Sequence, residues 1–276
     1  MQGRFPSPER SAKTGAMSRF AFRPLAALAV VALLAGCATG KNKADTKYVA
    51  MDVNTLYNAA LDRLNRHQYK TAAQVFDEVE RQHPYSVWSR RAQLMSAFSY
   101  YLAHDYTSSI ESARRFLSIH PGNRDAPYAY YLIAVDYYEQ IRDVNRDQKI
   151  TQQAMDALGE LIRRYPDTRY AADARIKVDL VRDHLAGKEM EVGRFYQRRG
   201  NWIASVIRFR KVVDEYQTTS QVPEALMRLT ESYLALGLSA EANKTAAVLG
   251  ANYPGTKWYE HAYELVTEKK PRGKDA

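Results

Sequence analysis

Leu226-Met227-Arg228-Leu229-Thr230-Glu231-Ser232-Tyr233-Leu234-Ala235-Leu236-Gly237, followed by Ala242 and Pro254, repeats in outline a pattern that also stands near the front of the chain. There Leu56-Tyr57-Asn58-Ala59-Ala60 is followed by His67-Gln68-Tyr69, Ala72, Phe76 and Pro84. In both, a large apolar residue opens an amphipathic helix and a small residue lets a second helix approach. A small and a bulky residue then mark that second helix, and proline ends it. Sliding the pattern finds Ala97, Tyr100, Tyr106 and Pro121, then Ala134, Tyr137, Ala154 and Pro166, then Gly193, Tyr196, Gly200, Trp202 and Phe209. The small residue precedes a tyrosine by three, about one helical turn, so the two share a face. Thr230 with Tyr233 makes a weaker version, and Arg63 stands in place of the tyrosine in the first copy, with Leu64 beside it.

The copies resemble tetratricopeptide repeats, which stack so that each buries its neighbour's apolar face. The expected fold is therefore all-α, a right-handed superhelical solenoid of about five helix pairs over 51–268. The units fall at about 53–86, 90–122, 126–167, 187–218 and 223–255. The spacing is irregular: 37 residues separate Pro84 from Pro121, 45 separate Pro121 from Pro166, and 51 separate Pro166 from Gln217, where a proline is due. The surplus in the third unit falls in Ile141–Gln148, a polar inter-helix loop. That before the fourth falls in 170–186, where Ala171, Ala174, Val178, Val181 and Leu185 predict an additional helix. Residues 269–276, Lys-Lys-Pro-Arg-Gly-Lys-Asp-Ala, are expected to be a disordered tail.

The front of the chain has a different character. Ser18–Arg23 is basic, and Pro24–Ala35 is apolar but shorter than the roughly 18 to 20 residues that cross a bilayer. That layout predicts a signal peptide over 1–36, with Met17 as the true start. It ends in Leu34-Ala35-Gly36-Cys37, which resembles a bacterial lipobox. Cys37, the only cysteine among 276 residues, is then the lipid attachment point, 37–50 a tether, and Ala38 favours the outer membrane. Without 1–36 the chain has 35 basic and 30 acidic residues, a balance that calls for no nucleic acid.

Lipobox, five irregular repeats, the long loop of the third unit and the extra helix together resemble the BamD family of β-barrel assembly lipoproteins. The resemblance covers Leu34 to about Glu268 and implies a place on the periplasmic face of the outer membrane. It implies as partners the periplasmic domains of the barrel-forming BamA, the lipoproteins BamC and BamE, and unfolded outer-membrane β-barrel proteins. It implies recruitment without covalent chemistry, and it makes Arg199, directly before Gly200, the contact to an acidic residue on BamA. A solvated turn charge is the simpler reading of Arg199. Another tetratricopeptide scaffold, of pilus assembly or cell division, is the alternative function.

A substrate groove is expected along the first helices, where residues spaced by four and three form a stripe. It runs through Tyr57, Leu61 and Leu64, then Leu94, Phe98 and Tyr101, then Tyr131, Val135 and Tyr138, and turns polar at Met190, Arg194 and Gln197. Aromatic rings with hydroxyl tips suit extended apolar peptide. The same spacing also serves to fill the gaps between repeats, so groove and core stay open as readings. No nucleophile elbow, phosphate loop or paired-cysteine pattern occurs. His67 and His104 share one slot, as do His83 and His120, and successive units do not converge on a metal. No enzyme activity, cofactor or metal is expected.

Overall fold

The computed structural model describes residues 50–144 and 146–268; Cys37, the signal peptide, the tether up to residue 49, Asn145 and the tail 269–276 lie outside them. Among the described residues there are eleven helices and no strand. They are α1 (Val53–Asn65), α2 (Tyr69–Gln82), α3 (Val87–Leu102), α4 (Tyr106–Ile119), α5 (Ala126–Glu139), α6 (Lys149–Arg164), α7 (Arg169–Arg198), α8 (Trp202–Glu215), α9 (Val222–Ala235), α10 (Ser239–Asn252) and α11 (Lys257–Glu268). Up to α10 each packs chiefly on its neighbours in sequence, as expected of stacked helix pairs.

Local chemistry sets the helix ends. Asp52, Ser86, Asp105 and Thr168 cap α1, α3, α4 and α7, their side-chain oxygens accepting backbone N–H groups in the first turn. The turn inside four of the helix pairs is one motif repeated. Gln68 N–H reaches Arg63 C=O and His67 N–H reaches Leu64 C=O, and the same two bonds recur at 105/104, 201/200 and 238/237. This closure needs a left-handed residue. Gly200 and Gly237 supply it at φ +72° and +76°, while His67 and His104 adopt +59° and +56°. Each histidine Nδ1 shares a hydrogen bond with the tyrosine hydroxyl two residues on, Tyr69 at 2.6 Å and Tyr106 at 2.9 Å, which fixes the ring over the turn.

The core follows the repeat register. In the second helices Ala72, Ser109, Ala154, Ser205 and Ala242 are all fully buried, and the pairs Phe76/Val79, Ala113/Phe116, Leu158/Leu161, Phe209/Val212 and Ala246/Leu249 follow them. The first helices meet these through Ala60, Ala97, Ala134, Gly193 and Thr230, every one of them buried. Gly193 leaves no room for a side chain: a methyl group there would overlap the Phe209 ring.

Two features depart from the sequence reading. The additional helix expected over 170–186 is not separate; it continues into the first helix of the fourth unit as α7, 30 residues and about 45 Å long. Nothing between Ala186 and Lys188 stops a helix, since Gly187 alone costs only about 1 kcal/mol. Beyond the fifth pair, α11 packs on α9 and α10, burying Ala262 and resting Trp258, Tyr259, Leu265 and Val266 on the last core cluster. It covers an apolar face that a sixth unit would otherwise take.

Candidate binding surfaces

The aromatic stripe divides into core and surface. Tyr57 is buried, its ring edge-on to Phe76 at 5.4 Å and tilted on Trp88 at 4.8 Å. Leu94 and Val135 are buried as well. These three fill the space between helices and offer no groove lining, because helix-spaced apolar residues facing a neighbouring helix are covered by it. Leu61, Phe98, Tyr101, Tyr131 and Tyr138 keep part of their surface.

In the third unit the first half of α7 lies against the stripe. Tyr131 stacks on Tyr170 at 5.2 Å and donates its hydroxyl hydrogen to Asp173 at 2.8 Å. Burial, with Asp173 next to the hydroxyl, pushes the Tyr131 phenol far up. Lys177 sits 5.2 Å over the Tyr138 ring. What remains open there is a cleft of about 490 Å³ that includes Tyr138, Ile141, Leu180 and His184.

Beneath Tyr101 and Tyr106 lies a buried acid. Asp136 on α5 is wholly inaccessible, and neither carboxylate oxygen has a hydrogen-bond partner among the described residues. Burial pushes its pKa up to about 7; Ser109, whose hydroxyl is committed to the Ala97 carbonyl at 2.9 Å, offsets this only in part. Burial also raises the phenols of Tyr101 and Tyr106, with Glu139 adding to it.

The polar continuation of the stripe serves the fold. Met190 is fully buried. Arg194 pairs with Glu191 at 2.6 Å and with Glu224 of α9 at 3.2 Å, and Gln197 donates to Glu231 at 3.0 Å and Ser232 at 3.2 Å. These bonds tie the fourth unit to the fifth. Glu189 does the same within the fourth, holding Arg208 at 3.0 Å and Lys211 at 2.8 Å.

Arg199 follows the last residue of α7 as its C-cap and is exposed, its guanidinium 4.3 Å over the exposed Phe195 ring. Across the Gly200 turn, Ile203 and Ile207 are 68% and 63% exposed. Four residues apart, they stand on one face of α8. The sequence reading passed over them, although α8 has apolar residues on a second face besides Ser205, Phe209 and Val212, and a helix apolar on two faces is a legible signal. Among the described residues no group of three or more His, Cys, Asp or Glu converges as a metal site, and no helix is long and apolar enough to cross a membrane.

Comparison with known proteins places the chain in a family. The family model described as "Outer membrane lipoprotein" (YfiO) matches residues 49–249. The "Outer membrane protein assembly factor BamD" of Caulobacter vibrioides is 50% identical over 244 residues, 88% of this chain and 80% of the relative. That of Rickettsia prowazekii is 46% identical over 243 residues, 88% of this chain and 96% of the relative. Among solved structures, the tetratricopeptide domain of P58(IPK) aligns with a TM-score of 0.41 at 14% identity, covering 80% of this chain and 67% of that one. With the family model matched over most of the helical domain and relatives at about half identity over most of their length, this chain belongs to the YfiO family of outer membrane lipoproteins, the family of the BamD assembly factors.

Proposed function

We propose that this chain is a non-catalytic scaffold of outer-membrane β-barrel assembly, lipid-anchored through Cys37 at the periplasmic face of the outer membrane. The observation that carries the reading is 50% identity over 88% of the chain to an outer membrane protein assembly factor. In this reading the turn at Arg199 docks the periplasmic domains of BamA, with an acidic residue of BamA facing the guanidinium. Phe195, Ile203 and Ile207 support it, because an apolar pair at helical spacing left in water beside a cation is characteristic of a surface that a partner covers. Unfolded barrels are taken up by the part-exposed rings of Phe98, Tyr101 and Tyr138, and BamC and BamE bind the same scaffold.

The test is copurification from detergent-solubilised membranes. Arg199→Glu should reduce the recovery of BamA, the Ile203→Ser/Ile207→Ser pair should reduce it further, and the far-UV spectrum should stay unchanged. Full recovery of BamA with both variants would remove the docking surface. Recovery of pilus or cell-division components in its place would remove the assembly reading itself.

A further inference from the structure

The first described residues return to one particular turn. Met51 N–H donates to Gln82 Oε1 at 3.0 Å, and the His83 ring bonds the Met51 carbonyl through Nε2 at 2.8 Å. His83 begins the α2–α3 turn, and its own carbonyl accepts the Ser86 N–H. The polypeptide that leads to Cys37 thus leaves the domain beside Pro84-Tyr85-Ser86-Val87. At this turn Tyr85 is entirely exposed and Val87 is 70% exposed.

Beside them opens a cleft of about 640 Å³. Trp88 and Phe116 give it apolar walls and Arg90, Arg91 and Arg124 a cationic rim, against one acid, Asp125. All three arginines are exposed; Arg91 lies 5.9 Å over the Trp88 ring, and Arg124 approaches Asp125 only to 3.8 Å. The segment 38–50 adds Lys41, Lys43 and Lys47 against Asp45. Cation, aromatic ring and bare apolar side chain together are the side-chain set of a membrane–water interface.

We infer that this turn and its three arginines rest on the anionic phospholipid surface of the membrane to which the chain is anchored. The inference depends on the Cys37 anchor proposed above. The occupant follows from where the chain leads: the fourteen residues 37–50 span at most about 50 Å even fully extended. The surface beside their exit is the part of the domain nearest the anchor along the chain. An acidic protein would satisfy the arginines but gives no reason for Tyr85 and Val87 to flank the tether.

The experiment uses the lipidated full chain with an environment-sensitive fluorophore on Tyr85→Cys, and on Val248→Cys in α10 as the distant control. Vesicles are of phosphatidylcholine alone or mixed with phosphatidylglycerol in equal parts. Flotation with the neutral vesicles reads the anchor separately; a chain that stays behind shows that the anchor is absent and overturns the inference together with it. Given flotation, the Tyr85→Cys label should shift to the blue on the anionic vesicles alone, lose the shift at high salt, and leave the Val248→Cys label unmoved. Reversal of Arg90, Arg91 and Arg124 to Glu should lower the bound-to-free ratio of the turn on the order of fivefold per residue, with an unchanged far-UV spectrum. Equal spectra on both vesicles, an unaffected triple variant, or a shift produced by BamA and not by lipid would each overturn it.

Discussion

Replacing Gly193 by alanine probes the glycine of the described residues that is packed most tightly against a neighbouring helix. An added Cβ would fall within contact of Phe209 Cε1 and 2.8 Å from both Cδ1 and Cζ, well inside normal carbon–carbon separation. Phe209 is wholly buried against the fourth and fifth units, so the ring has no free space into which to turn. Overpacking of this kind costs about 1–3 kcal/mol. Opposing it, alanine in a helix interior is favoured over glycine by about 0.8–1.0 kcal/mol. The net expectation is a loss of about 1 kcal/mol, a fall of roughly 0.3 M in the urea midpoint for a slope near 3 kcal/mol/M. Gly159→Ala on α6 is the matched control: its Cβ would meet only Arg163 Nη1 at 3.5 Å, so the propensity gain stands alone and the midpoint should rise. Urea titration followed by far-UV circular dichroism reads both. Midpoints that rise together would refute the packing argument, and restoration of stability in Gly193→Ala/Phe209→Leu would locate the strain at this one contact.

Three further outcomes follow from the geometry. Because Asp136 is neutral in the folded chain up to about pH 7 but ionises near 4 once unfolded, the folded state holds the extra proton between those values. The contribution of this group to stability therefore falls as pH rises from about 4 to 7 and levels off above, opposite in sign to that of Glu189 and Glu78; Asp136→Asn should remove it and be more stable at pH 8 by an amount on the order of 2–4 kcal/mol, as thermal melts of the two proteins across pH would reveal. Gly237→Ala meets open space yet must keep φ near +76°, so it should cost about 1–2 kcal/mol, while His104→Gly, which relieves the same conformation and loses one exposed hydrogen bond, should shift stability by less than about 1 kcal/mol in the same urea assay. Tyr131→Phe removes the bond to Asp173 while keeping the ring on Tyr170, and should lower the melting free energy by about 1 kcal/mol without altering the far-UV spectrum.

The fold was legible where one residue has one task. The small positions Ala60, Ala97, Ala134 and Gly193 repeat because two backbones must approach there, and nothing else explains the spacing. The extra helix was found but its junction was not, since continuity between Ala186 and Lys188 is decided by the absence of a stop signal and by packing from both sides. The capping helix α11 has no repeat partner to be compared with and was invisible to register. The candidate groove was the least legible part. Tyr57 and Tyr131 share a repeat position, yet Tyr57 is core and Tyr131 keeps part of its surface, because what covers a residue is set by the neighbouring helix and not by its own. Arg199 came from family resemblance alone; Ile203 and Ile207, which give it a surface to belong to, were readable and were overlooked.

An unbroken α7 also has a mechanical meaning. Elsewhere in the stack a left-handed residue or a loop separates consecutive helices and lets them tilt against one another, but from Arg169 to Arg198 thirty residues form one beam. One end of that beam bears on Tyr131 through Tyr170 and Asp173, and the other presents Arg199. A torque applied at the Arg199 end is delivered to Tyr131 without passing through a hinge, so the two ends of the helix turn as a single lever.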